Sequence, residues 1–341
     1  METLKVGILG ATGAVGQRFI EALAGHPWFE LSSLAASERS AGKPYARAAN
    51  WRLASALPGE IGEQVVVSMK PEEIDADIVF SALPADIART VEPAFARAGF
   101  MVASNASAFR QELDVPLMIP EVNADHLGLL EVQRDSRKWD GVIVTNPNCS
   151  VIMLAVSLKP LVRFGIKDVK VATMQAVSGA GYDGVSSMAI LDNVIPHIGG
   201  EEEKVEREAQ KLLGTFDGSS IVDASFEVSA SCHRVPVLDG HTEAVWITLA
   251  DDPTPEEVRD AFLNFDPGLD LPTEPAQVII VHDDPDRPQP RLDRDRGDGM
   301  SVSVGRIREG IRYIAMGHNT VRGAAGASVL NAELMLSLGL L

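Results

Sequence analysis

Residues 4–23 read LKVGILGATGAVGQRFIEAL, and the order of residue types in this stretch decides the fold class. LKVGILG is a continuous apolar run of strand length. AVGQRFIEAL then sets Val15, Phe19 and Leu23 at helical spacing until Gly25 stops the pattern. Between them Gly10, Gly13 and Gly16 are spaced GxxGxxG, one register away from the usual GxGxxG. Gly10 suits a tight turn, Gly13 a close approach of phosphate to backbone, and Gly16 close packing of helix on strand. The helix N-terminus adds partial positive charge for a pyrophosphate. Strand, glycine turn and helix together predict a dinucleotide site over Gly10, Thr12, Gly13, Ala14, Val15 and Gly16.

Further along, FELSSLAAS (29–37), EQVVVSM (63–69), ADIVFSAL (76–83) and GFMVASNAS (99–107) read as buried strands, with DIARTVEPAFARAG (86–99) as an intervening helix. Strands alternating with helices imply right-handed crossovers and an open parallel sheet. Past residue 165 the pattern changes to longer β-branched runs, DVKVATMQAVS, FEVSASCHRVPV and HTEAVWITLA, which predict a mostly antiparallel sheet. Two helices interrupt it. One begins near Glu201; the other carries a capping box with Thr254 as N-cap, Pro255 first and Glu257 third. The Pro, Asp and Arg run 283–299 is the candidate mobile segment. The fold class is therefore α/β: a Rossmann-type parallel-sheet domain plus an α+β domain with a mostly antiparallel sheet. The expected division is 1–148 for the nucleotide-binding domain and 149–319 for the second, with the closing helix of 320–341 returning to pack on the first.

The chain has 341 residues, 48 acidic against 30 basic side chains and a formal charge of -18, so a nucleic-acid backbone would meet a repulsive field. Any anionic substrate must then be held by a few local cations. Two cysteines without a CxxC, and no secretory leader, predict a reducing compartment, the cytoplasm. The longest apolar run, Val151 to Leu158, is too short to cross a bilayer.

Cofactor choice is read after the second strand. A site preferring NAD places a carboxylate there, whereas AASERSAGK (35–43) offers Ser37, Arg39, Ser40 and Lys43 with Glu38 as the one acid, which favours NADP. The second chemical signal is Cys149, in TNPNCSVIM (145–153), where a predicted strand gives way to a helix. Peptide dipoles at a helix N-terminus favour the thiolate, and free backbone N–H groups there can bind an oxyanion. From position alone, a small buried core residue is an equal reading.

GATGAVGQRF, SNAS, TNPNCS, QAVSGAG, GGEEEKV, RVPVLDGHTEAV, GMSVSVGRIR and GHNTVRGAAG follow one another in this order. From Gly7 to about Ala327 the chain closely resembles aspartate-semialdehyde dehydrogenases of the archaeal and fungal branch. The resemblance implies an enzyme that reduces aspartyl β-phosphate with NADPH through a thioester on Cys149. It makes His241 the acid/base residue, whose pKa near neutrality suits the work, and Gln175 a residue that orients substrate. It assigns Arg234 to the α-carboxylate, Glu201 to the amino group, and Lys204 and Arg110 to phosphate. It adds Ser178, Gly179, Asn319 and the turn from Ser81 to Pro84 as cofactor contacts, no metal, and a homodimer or homotetramer. From spacing alone, Arg234 reads as a surface ion-pair partner, His241 as a satisfied core histidine, and Glu201 with Lys204 as an exposed i, i+3 pair.

Three rival readings share parts of this pattern. A reductase of CoA thioesters, such as malonyl-CoA reductase, would keep Cys149, His241 and the NADP loop. N-acetyl-glutamyl-phosphate reductase usually presents a different nucleophile context. A non-catalytic NADP sensor would be expected to lose some of Cys149, Gln175, Arg234 and His241, and all four are present.

Overall fold

The computed structural model describes residues 3–341. Its first sheet has six strands, all paired in parallel: β1 (Leu4–Leu9), β2 (Phe29–Ala36), β3 (Val67–Ser68), β4 (Ile78–Ser81), β5 (Met101–Ser104) and β6 (Val142–Thr145). Their order is β3-β2-β1-β4-β5-β6, so the winding reverses between β1 and β4, where a ligand crevice opens outside the carboxyl ends of the strands. Both faces are covered. Phe19, Ile20, Phe80 and Met101 form one core, and Val79, Phe95, Val102 and Ile143 the other, which accounts for strands that read as unbroken apolar runs.

The second sheet runs β10-β7-β11-β14-β13-β12, from β7 (Ile166–Gln175), β10 (Glu227–Arg234), β11 (His241–Leu249), β12 (Ile279–His282), β13 (Val302–Arg308) and β14 (Arg312–Gly317). Its three central pairings are antiparallel, while the two edge strands β10 and β12 pair in parallel. A separate small ribbon joins β8 (Thr215–Phe216) and β9 (Ile221–Val222). The helix Cys149–Leu158 is buried from Ser150 to Leu158 and lies in the core of this second sheet. Each large apolar side chain so buried contributes about 1.5–3 kcal/mol, so the first residue of that helix is held firmly.

The closing helix, Gly326–Ser337, puts Val329, Leu330 and Met335 into the same core as Val6, Phe19 and Phe80 of the first sheet. It is preceded by one π-helical turn, Val321–Ala325, which the sequence pattern does not announce. The capping box forms as read: Thr254 accepts from the Glu257 N–H, and Glu257 accepts from the Thr254 N–H.

Two sequence readings need correction. EQVVVSM yields only the two-residue strand β3 at the sheet edge, because a short helix, Gly59–Glu63, uses the preceding residues and Val65 is half exposed. The 283–299 segment is a built loop around one buried carboxylate. Asp293 accepts from Arg287 and from the Gln289 N–H (2.7 Å), and Arg294 reaches the carbonyl of Asp239 (3.3 Å).

Candidate active site

The end of β6 delivers the chain to Cys149, and Asn148 makes the turn into the helix. The Asn148 carboxamide oxygen accepts from the N–H groups of Ser150 (2.9 Å) and Val151 (3.4 Å), an N-cap that fixes the first turn. Opposite it, three neighbouring strands end together. Gln175 closes β7, Arg234 closes β10 in register with it, and His241 opens β11. Gly323, in the π turn, meets Cys149 closely: a Cβ there would stand 2.7 Å from the cysteine Cβ, so a side chain would displace the thiol.

Cys149 Sγ lies 3.2 Å from His241 Nε2. The other ring nitrogen, Nδ1, accepts a hydrogen bond from the Ala176 N–H at 3.0 Å. A neutral imidazole so engaged carries its proton on Nε2 and presents it to the sulfur. Arg234 donates to the Ala176 carbonyl (2.8 Å), and the Gln175 amide to the Thr173 hydroxyl (3.3 Å).

Glu201 and Lys204 start the helix Glu201–Leu212 and pair at 3.3 Å, and Glu201 also accepts from the Asn148 amide at 2.7 Å. Glu201 is buried, so the exposed i, i+3 pair is not what forms. Arg110 donates to Glu208 (3.1 Å) and to the Asn105 carbonyl (2.9 Å).

Electrostatics reverse two sequence expectations. The Cys149 thiol is pushed up to about 12, by burial first and then by the Glu201 charge, against the opposing influence of Arg110, Arg234 and the Ser150 N–H. The helix N-terminus is there, but burial outweighs it. His241 is pulled down to about 3 by burial, with Arg234 and His318 acting in the same direction. Its ring is therefore neutral across the physiological range, well away from the near-neutral titration expected of it.

Cys149, Arg110, Glu201, Lys204, Arg234, Ser178, Gly179 and Asn319 line one cleft of about 740 Å³, together with Ala14 and Val15 of the glycine turn. Gln175 and His241 sit buried directly behind its wall. The glycine turn has the geometry its residues suggest. Gly10 adopts a φ of +79°, and a Cβ on Gly16 would lie 2.4 Å from the Gly10 carbonyl oxygen. Thr12 and Gly13 complete the turn into the helix Ala14–Leu23. Ser37 and Arg39 are exposed and Ser40 half-buried, in a turn beyond β2. Ser81, by contrast, is completely buried, and its turn offers Leu83 to the cleft instead. Asn319 ties two loops together, donating to the Ser178 hydroxyl (2.9 Å) and accepting from the Gly240 N–H (2.8 Å).

The sequence reading missed Asn148, Asn105, Asn146 and Glu208. Asn146 bridges the Asn105 side chain (2.9 Å) and the Ala324 carbonyl (2.8 Å), joining the loop after β5 to the π turn. Asn148 had a signal, an asparagine directly before a helix; Glu208 had none that separates it from a solvated helix face. Among the described residues no group of three His, Cys, Asp or Glu side chains has the arrangement of a metal site.

Residues 5–130 match the family described as "Semialdehyde dehydrogenase, NAD binding domain", and residues 158–322 the one described as "Semialdehyde dehydrogenase, dimerisation domain". An aspartate-semialdehyde dehydrogenase of Archaeoglobus fulgidus is 63% identical over 335 residues, 97% of each chain. That of Schizosaccharomyces pombe is 49% identical over the full length of both. The solved aspartate semialdehyde dehydrogenase of Candida albicans, described with NADP, superposes over the whole of both chains with a TM-score of 0.92 at 44% identity.

Proposed function

The chain belongs to the aspartate-semialdehyde dehydrogenase family, and from that premise we propose how its own residues carry out the NADPH-dependent reduction of L-aspartyl 4-phosphate to L-aspartate 4-semialdehyde. That semialdehyde is an intermediate in the biosynthesis of lysine, threonine and methionine. The observation that carries the reading is the set of charges around one sulfur. Glu201 suits the substrate ammonium, Arg234 its carboxylate, and Arg110 and Lys204 the phosphate, all in the cleft that holds Cys149. A malonyl-CoA substrate has no ammonium group to use the buried Glu201 carboxylate at the cleft, which disfavours that rival.

Cys149, as the thiolate, attacks the acyl carbon; the C–O bond to phosphate breaks and a thioester remains on the sulfur. NADPH, when bound, would supply the hydride that reduces this thioester. The resulting alkoxide re-forms the carbonyl as the C–S bond breaks, returning aldehyde and thiolate. The departing phosphate takes up one proton, from the Cys149 thiol in the first turnover and from solvent thereafter, whereas hydride addition and C–S cleavage need none, so a neutral His241 that donates from Nε2 to the developing oxyanion is sufficient for those steps. Binding of the substrate ammonium at Glu201 also offsets the charge that raises the Cys149 thiol. Gln175, behind the wall, orients the acyl group.

The residues fit the dinucleotide. The turn through Gly10, Thr12, Gly13, Ala14, Val15 and Gly16 would hold the pyrophosphate, and Ser37, Arg39 and Ser40 the 2'-phosphate. Ser178, Gly179, Asn319 and the turn after Ser81 would flank the nicotinamide. Residues 1–148 then form the cofactor domain, 149–319 the catalytic and dimerisation domain, and the helix within 320–341 returns to the first. The reaction is assigned to the cytoplasm, a reading supported by two free thiols.

The deciding assay follows NADP reduction by aspartate semialdehyde. Turnover that requires phosphate, with none from malonate semialdehyde plus CoA, is the expected result; the reverse pattern would transfer the assignment to the CoA-dependent class. Association of two or more chains is supported by the outer face of the second sheet, where exposed Trp246 stands over a groove lined by Lys170, Ala172 and Ala230. Sedimentation is expected to give a dimer or larger, and Trp246→Asp to shift it toward monomer; a monomeric wild type would refute the assembly.

A further inference from the structure

We infer that Glu208, on the helix Glu201–Leu212, is a positioning residue that sets the distance between the nucleophile and the cation receiving the phosphate; this rests on the reading of Arg110 as that cation. The side chains of Glu201, Lys204, Glu208 and Lys211 follow one another at spacings of 3, 4 and 3, a single stripe along the helix. The first two belong to the cleft already described. The second two lie deeper and hold the walls of that cleft together.

Glu208 is 1% exposed and uses both carboxylate oxygens. Oε1 accepts from Arg110 Nη1 at 3.1 Å, and Oε2 accepts at 2.6 Å from the N–H of Asn148, the residue directly before Cys149. One rigid planar group thus ties the phosphate cation to the residue that precedes the nucleophile. Lys211, one turn on, donates from Nζ to the carbonyls of Arg110 (2.8 Å), Glu112 (2.9 Å) and Val115 (3.1 Å), fixing the backbone from which Arg110 projects. Arg110 is consequently held at its main chain by Lys211 and at its guanidinium by Glu208 and the Asn105 carbonyl, while its Nε has no protein partner.

A carboxylate beside an anion site weakens anion binding by its charge, so its presence calls for a compensating role. Paired charge-assisted bonds supply it, because they keep the guanidinium in one orientation before the phosphate arrives. Without Glu208 the arginine must be ordered by the phosphate itself, and that cost appears in phosphate affinity.

The test uses the full-length enzyme in the oxidative direction, varying inorganic phosphate and aspartate semialdehyde separately, for Glu208→Gln, Arg110→Ala and the double variant. The glutamine oxygen can still accept from the Asn148 N–H, so only the arginine pairing is lost. KM for phosphate is expected to rise about tenfold or more, and KM for semialdehyde by less than about threefold. In the Arg110→Ala background Glu208→Gln should add nothing further, since its effect passes through that side chain. Multiplying effects in the double variant, or equal rises in both KM values, would overturn the inference. A phosphate KM unmoved by Arg110→Ala would remove the reading of Arg110 and the inference with it, whereas a large Arg110 effect beside a silent Glu208→Gln sinks the inference alone. Should Glu208→Gln fail to fold, Glu208→Asp, whose shorter arm cannot span both partners, gives the same comparison.

Discussion

Replacing Cys149 by serine is expected to lower kcat by about four orders of magnitude or more and to leave the thermal midpoint close to that of the parent. The two halves of this result come from different features. The sulfur has one polar side-chain partner, His241 at 3.2 Å, and a hydroxyl can accept the same hydrogen bond, so little folding energy is at stake. The chemistry has no such latitude. Burial and the Glu201 charge already push the thiol up to about 12, and the same surroundings act on a serine hydroxyl whose alkoxide is far less accessible to begin with. The ester that serine would form also accepts hydride less readily than a thioester. Steady-state NADP reduction by aspartate semialdehyde and phosphate, alongside a melting curve, measures both halves. A serine variant retaining a substantial fraction of the rate would rule out the covalent route.

What the sequence discloses about this site follows from how far each signal reaches along the chain. The glycine turn, the N-cap before Cys149 and the Thr254 capping box are each completed within a few residues, so their chemistry is visible locally. The family resemblance reached Arg110, Glu201, Lys204, Arg234 and His241, which the fold gathers from helices and strands far apart in sequence and which spacing alone leaves ambiguous. Glu208 lay outside both kinds of reading. Its partners are 98 and 60 residues away, and its helical stripe is indistinguishable from a solvated face until the helix is seen buried against Arg110 and Asn148. Burial rather than distance accounts for the 283–299 loop: Asp293 finds its partners four and six residues away, but a run of charges reads as mobile unless one of them is known to be buried and to gather the rest. The Cys149 thiol is the same lesson in electrostatics. The helix dipole is legible from position, but desolvation depends on everything packed around the sulfur, and here it is the larger effect.

His241→Ala is expected to reduce kcat in the reductive direction by about two to three orders of magnitude, and His241→Gln, which can still offer an N–H, by less. The ring's worth lies in the proton that Ala176 obliges it to carry on Nε2, aimed at the place where charge develops. The pH dependence separates this role from proton shuttling. A histidine whose pKa is lowered stays neutral above that value, and with the ring held down to about 3 it changes charge only in strong acid. It therefore contributes no limb to the profile near neutrality. The raised thiol acts with the opposite sense: below its pKa the thiolate fraction grows tenfold with each pH unit, so kcat/KM should climb steadily between about pH 6 and about pH 9. A limb centred near the ordinary histidine value, present in the parent and absent from His241→Gln, would mean that the imidazole takes up and gives back a proton in the cycle. The neutral-donor role would then be wrong, and the bond from Ala176 would have to open during turnover.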